Sequence, residues 1–143
     1  MNVDAWMQKV VLTLTEESSL RDAINLSRKH QIRHIPIIRD QKELVGIVSD
    51  RDIKRFTPSI LSERSAGDHE RVLEETPLAR IMTKDPQTIS PTQTIREAVE
   101  VFCKTKVGAL PVVTQGKLVG ILSETDMLRA FHEALLRAEN RKN

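Results

Sequence analysis

Leu44-Val45-Gly46-Ile47-Val48-Ser49-Asp50-Arg51-Asp52 and Leu118-Val119-Gly120-Ile121-Leu122-Ser123-Glu124-Thr125-Asp126 are two versions of one phrase. In each, an apolar run reads as a strand. The run stops at a serine whose hydroxyl is placed to cap a helix, and the aspartate three residues on falls at the third helical position. A strand that turns directly into a capped helix, written twice, decides the fold.

Working outward, the duplication extends in both directions. Sliding the chain along itself puts Met7 on Met82, Lys9 on Lys84, Thr13 on Thr88, Arg21 on Arg96, Ala23 on Ala98 and Pro36 on Pro111. One deleted loop residue later, Arg55 falls on Arg129. A short strand is expected at 10–14 and again at 87–89, followed by polar starts at 16–19 and 90–93, with Thr94 as the second cap. Ile95, Ala98, Val99 and Phe102 share one helical face, as do Leu20, Ala23 and Ile24, and that face is expected to be core. Strands at 35–38 and 110–113 then return through short turns to the duplicated phrase. Each half therefore reads β-α-β-β-α, giving an α/β (α+β) class. The expected divisions are 1–56 for the first repeat, 57–76 for a linker, 77–131 for the second repeat and 132–143 for a terminal helical extension. Ser65-Ala66-Gly67-Asp68 is the expected mobile point of the linker. Thr76-Pro77 is expected to serve as cap and first position of a short helix over 78–82. A half of about 50 residues buries its sheet poorly alone, so the two halves are expected to share a core.

Bulk properties narrow the function. The chain has 143 residues, with 22 Lys and Arg against 20 Asp and Glu and a net charge of +2. No single-sign run suggests a nucleic-acid arm, and with one Trp, three Phe and no Tyr there are no stacking platforms for single strands. No apolar run approaches a membrane span. The single cysteine, Cys103, forms no internal disulfide, and a reducing cytoplasm is expected. Cys103 lies at the edge of the second apolar helical face and is expected to be partly buried and structural. The four histidines share no metal-ligand spacing with one another or with Cys103, so no metal is expected. No nucleophile stands with a base, and no catalytic residue is assigned.

The paired phrases Gly46 to Asp52 and Gly120 to Asp126, with Arg33-His34-Ile35-Pro36 and Gly108-Ala109-Leu110-Pro111 before them, resemble the CBS (cystathionine-β-synthase-type) repeat. Two copies in register make this a strong likeness. The first half also resembles the CBS pair of acetoin-utilisation-type proteins. The resemblance implies two CBS repeats packed by pseudo-two-fold symmetry into one Bateman module, usually a homodimer, with two clefts for adenosine derivatives such as AMP, ADP, ATP or S-adenosylmethionine. Carried over to this chain, the first cleft uses Asp52 for the ribose and Ser49, Arg51 and His34 toward phosphate, beside Ile47. Its base wall comes from Met82, Asp85, Gln87, Val107 and Gly108. The second cleft uses Asp126 and Ser123 beside Ile121, but Thr125 and Ala109 replace the phosphate-facing pair, and Arg33 points to where its base would sit. The second cleft is therefore expected to be the weaker.

Each assignment has a plainer counterpart. Ser49 and Asp52 equally describe a helix cap with an acidic first turn. Arg33, Arg51 and Lys54 equally describe a solvated face. Two functions follow. One is a regulatory sensor of an adenosine-type nucleotide that acts on an enzyme or transporter; the other is a dimerisation or scaffold module without a ligand. In both, Met127, Leu128, Phe131, Ala134, Leu135, Leu136 and Ala138 form a terminal apolar stripe that a homodimer would cover.

Overall fold

A computed structural model of the chain describes residues 1–61 and 66–143, with side chains for all of these except 58–61 and 66. Two compact units emerge, and neither coincides with a sequence repeat. One spans Leu12–Pro86; the other combines Met1–Val11 with Gln87–Asn143.

In the Leu12–Pro86 unit the order is α1 (Leu20–His30), β1 (His34–Arg39), β2 (Glu43–Ser49), α2 (Asp50–Leu61), α3 (Ala66–Glu75), a 3-10 turn at Leu78–Arg80, and β3 (Thr83–Lys84). Ser19 caps α1 through a reciprocal box with Asp22, and the helix ends at Gln31 in the left-handed region. β1 and β2 pair antiparallel from His34 opposite Ser49 to Arg39 opposite Glu43, with a register shift between Ile37 and Ile38. β3 lies against β2, with Thr83 opposite Ile47 and Lys84 opposite Gly46. Alternation on β1 and β2 sends Ile35, Ile37 and Val48 inward to meet Ala23 and Leu78. At the outer end of β1, Glu16 accepts two hydrogen bonds from Arg39, which raises the arginine pKa above its ordinary value.

The other unit repeats the scheme with α4 (Ile95–Thr105), β4 (Ala109–Thr114), β5 (Lys117–Ser123) and α5 (Glu124–Lys142). Thr94 caps α4 in a box with Glu97, and the helix again ends in a left-handed residue, Lys106. The β4–β5 register runs from Ala109 opposite Ser123 to Thr114 opposite Lys117, with its shift between Val112 and Val113. Here the strap along the edge of β5 is the N-terminal segment: Gln8 pairs with Ile121. Val3, Ile89, Ile95, Ala98, Leu110, Val112, Leu122 and Ala130 form the core, with Trp6 and Met7 packed on it.

Several sequence expectations are corrected. Each unit has its own cluster of buried apolar residues. Each repeat closes its own core with a segment from the start of the other: Val3, Trp6 and Met7 in one unit, Leu78, Ile81 and Met82 in the other. The short strands expected at 10–14 and 87–89 are reduced to Leu14 and Ile89, each bridging one residue of the neighbouring strand in parallel. Much of the expected linker is helical, since α2 runs to Leu61 and α3 begins at Ala66. Of the expected mobile point, Ser65 lies outside the described residues, and Ala66 to Asp68 form the first turn of α3. Thr76 does not cap the following turn: its hydroxyl donates to the Val72 carbonyl at 2.6 Å, and Pro77 takes the cap position in extended backbone. Val99 is 41 % exposed and its place on the buried face of α4 is taken by Val101, which moves the stripe round the helix and leaves Cys103 exposed.

Candidate functional site

The reason the phrase ends in Ser-x-x-Asp is visible at β2. Leaving the sheet, the chain turns at once into α2, and the first helical amides need acceptors. Ser49 Oγ accepts from the Asp52 amide at 3.1 Å, and Asp52 Oδ2 accepts from the Ser49 amide at 2.8 Å. The Asp50 amide donates to the Arg33 carbonyl at 2.9 Å, tying the helix start to the entry of β1. The β1–β2 register then sets His34 directly opposite Ser49.

This one end of the Leu12–Pro86 unit gathers most of the first candidate group. His34, Ile47, Ser49 and Asp52 are half-buried there and Arg51 is exposed. Among the described residues, Asp52 Oδ1 has no hydrogen-bond partner, and Arg33 and Arg51 make no ion pair. Lys54 pairs weakly with Asp50 at 3.8 Å on an exposed surface. β3 brings Met82 against Gly46, and Asp85 follows in a left-handed conformation (φ 45°) with its amide toward the Val45 carbonyl at 3.4 Å. Gln87, Val107 and Gly108, the remaining members, belong to the other unit.

The duplicate end of the other unit is built alike and used differently. Ser123 caps α5 in the same box, with Asp126 Oδ2 accepting from the Ser123 amide at 2.8 Å and from its hydroxyl at 3.0 Å. Asp126 Oδ1 accepts from Gln8 Nε2 at 3.1 Å and from the Arg129 guanidinium. Asp126 is 2 % exposed, the only acidic residue in the buried set among the described residues. Ile121 spends both backbone groups on Gln8, and Glu124 donates its amide to Gly108 at 3.1 Å. Ala109 and Thr125 stand where His34 and Arg51 stand in the first group. Gln8 escaped the sequence reading because it lies 118 residues from Asp126. Arg129 was visible only as the duplicate of Arg55.

No group of three His, Cys, Asp or Glu side chains among the described residues is arranged to hold a metal. No helix among them is long and apolar enough to cross a membrane.

A strand-to-helix cap beside a borrowed edge segment, written twice, defines a paired-repeat module. The chain belongs to the CBS domain family, whose model matches residues 3–58 and 78–133. It is similar to a candidate acetoin utilization protein (AcuB) from Vibrio cholerae of known structure, at 32 % identity and a TM-score of 0.79, covering 98 % of this chain and 96 % of that one. It is also similar to CBSX2 of Arabidopsis thaliana, whose structure in complex with AMP matches at 25 % identity and a TM-score of 0.76 over 93 % of this chain and 97 % of that one. Inosine-5'-monophosphate dehydrogenase of Korarchaeum cryptofilum is 32 % identical over 95 % of this chain, which spans only 26 % of that enzyme. The chain is thus a CBS pair, a regulatory rather than a catalytic module.

Proposed function

We propose that the chain is a regulatory sensor that binds an adenosine-type nucleotide at the Asp52 end of its first repeat. The observation that carries this reading is the unpartnered Oδ1 of Asp52, held in place by the Ser49 cap with an unpaired Arg51 one residue before it. A carboxylate fixed through one oxygen keeps the other ready to accept from the ribose hydroxyls. Arg51, Ser49 and His34 take the phosphate at the positive end of the α2 dipole, and Ile47, Met82 and Asp85 face the nucleoside. The AMP complex of CBSX2 supports this class of ligand. The regulated partner is an enzyme or transporter, an assignment supported by the dehydrogenase in which a segment like this chain is part of a longer protein. The single, unpaired cysteine agrees with action in the cytoplasm.

A homodimer is the second part of the proposal. Leu128, Phe131, Leu135 and Leu136 are 67, 61, 46 and 42 % exposed along α5, a larger apolar face than a lone helix usually leaves to water. The same face favours the alternative reading, a dimerisation scaffold without a ligand. Thermal melting separates the two. A ligand present at about 100 times its Kd stabilises the native state by about 2.7 kcal/mol, so millimolar AMP, ATP or S-adenosylmethionine must raise Tm if any is the ligand. No shift with any of the three, in a chain that remains dimeric, selects the scaffold.

A further inference from the structure

We infer that the second site is closed by the chain itself: Gln8 and Arg129 occupy the carboxylate of Asp126, so that one nucleotide binds per chain and Gln8 sets which repeat accepts it. This rests on the nucleotide reading proposed above for Asp52. An ionised carboxylate has about four lone-pair positions. At Asp126 all are taken: Oδ2 by the Ser123 amide and hydroxyl, Oδ1 by Gln8 Nε2 and the Arg129 guanidinium. A ribose diol can reach this group only by displacing both side chains. Asp52 differs: its Oδ2 accepts from the Ser49 amide alone, and its Oδ1 has no hydrogen-bond partner among the described residues.

The difference traces to one position of the repeat. Gln8 falls on Thr83, and both lie on the edge segment that pairs with the duplicated phrase, Gln8 with Ile121 and Thr83 with Ile47. The glutamine reaches the carboxylate from that edge, whereas the shorter threonine does not. Arg55, the duplicate of Arg129, makes no ion pair among the described residues. Gln8 is also held rather than merely nearby. Its amide donates to the Ile121 carbonyl at 2.8 Å and its carbonyl accepts from the Ile121 amide at 3.0 Å. Met7 is seated on Gly120, and further back the Val3 and Asp4 amides donate to the Gln93 and Pro91 carbonyls at 2.9 and 3.0 Å. The N-terminal segment is therefore a strap whose last anchored side chain acts as an internal ligand. Binding at Asp126 and retention of that side chain exclude each other, which makes Gln8 a specificity-determining residue.

Two measurements on the full chain test this. Calorimetry with AMP should give one equivalent per chain for the parent and none for Asp52→Ala. Gln8→Thr combined with Arg129→Ala should gain a second equivalent, which Asp126→Asn then removes. Two equivalents in the parent, or no gain in the double variant, overturns the inference. The second measurement needs no ligand: amide exchange at Ile121 should speed up about tenfold in Asp126→Asn, as loss of a charged hydrogen bond implies, and stay unchanged in Asp52→Asn. If no variant binds AMP, ATP or S-adenosylmethionine, the nucleotide reading falls. The internal occupation of Asp126 is then judged on exchange alone, and unchanged protection of Ile121 in Asp126→Asn refutes it.

Discussion

Replacing Gly46 by alanine tests whether the edge strand borrowed from the other repeat is seated as closely as the structure places it. A Cβ at Gly46 would lie 2.6 Å from Met82 Sδ and 3.0 Å from both Met82 Cγ and the Thr83 carbonyl oxygen. Carbon contacts settle near about 3.5–4.0 Å, so the approach is too close by roughly 1 Å. Methionine can swing away at modest cost, since its side chain has three flexible torsions. The Thr83 carbonyl cannot move alone, because Thr83 is paired with Ile47 and carries β3 with it. Overpacking of this kind costs about 1–3 kcal/mol. For a chain of this length each kcal/mol lowers Tm by roughly 3–4 °C, so Gly46→Ala should melt about 3–12 °C below the parent by calorimetry. Adding Met82→Ala relieves the sulfur contact but not the carbonyl, and creates a void, so it should not restore the parent value. Gly120→Ala is the internal duplicate, with Met7 Sδ at 2.6 Å and the Gln8 carbonyl at 3.0 Å, and should lose a similar amount. A Gly46→Ala chain melting within about 1 °C of the parent would refute the reasoning, since it would mean that β3 is not packed on Gly46.

Asp126→Asn should lower stability by about 2–4 kcal/mol, because it uncouples a buried carboxylate from Arg129, Gln8 and the Ser123 cap. Asp52→Asn should cost only about 1 kcal/mol, the value of a cap; chemical denaturation that reverses this order would contradict the different occupation of the two carboxylates. AMP affinity should fall several-fold as salt rises from about 0.05 to 0.5 M, because Arg51 is exposed and its attraction for phosphate is screened; a salt-independent affinity would point to an uncharged adenosine compound instead. Light scattering should give a dimer for the parent and a monomer for Phe131→Glu with Leu135→Glu, which spare the buried Ala130. A monomeric parent would remove the dimer from the account.

Local features were the legible ones. The Ser-x-x-Asp phrase specified both strand-to-helix transitions, and Thr94 caps α4 as its position implies, with Glu97 completing the box. The hairpins at 35–48 and 110–122 followed from β-branched runs separated by short turns, and both carry their register shift at the same place. What periodicity could not supply was partnership over distance. The helical spacing places Ile95, Ala98, Val99 and Phe102 on one face of α4, whereas the buried stripe runs through Val101 and leaves Val99 exposed. Nothing local marks residues 1–9 as the edge strap of the second repeat, or Gln8 as the partner of Asp126. The duplication itself held the clue, since 77–86 does for one unit what 1–11 does for the other. Of the candidate site, the proposed Asp52 group comes from the resemblance to CBS repeats, whereas the proposed closure of Asp126 depends on a glutamine where the duplicate has a threonine.

The central claim, that the Asp52 end of the first repeat takes an adenosine-type nucleotide, is tested most directly by titrating AMP into the isotopically labelled chain and following its amide resonances. The account predicts saturable shifts at His34, Ser49, Arg51 and Asp52, absent in Asp52→Ala, with the Ser123 and Asp126 amides unaffected. No saturable change at millimolar AMP, ATP or S-adenosylmethionine, or shifts confined to Ser123 and Asp126, would contradict it.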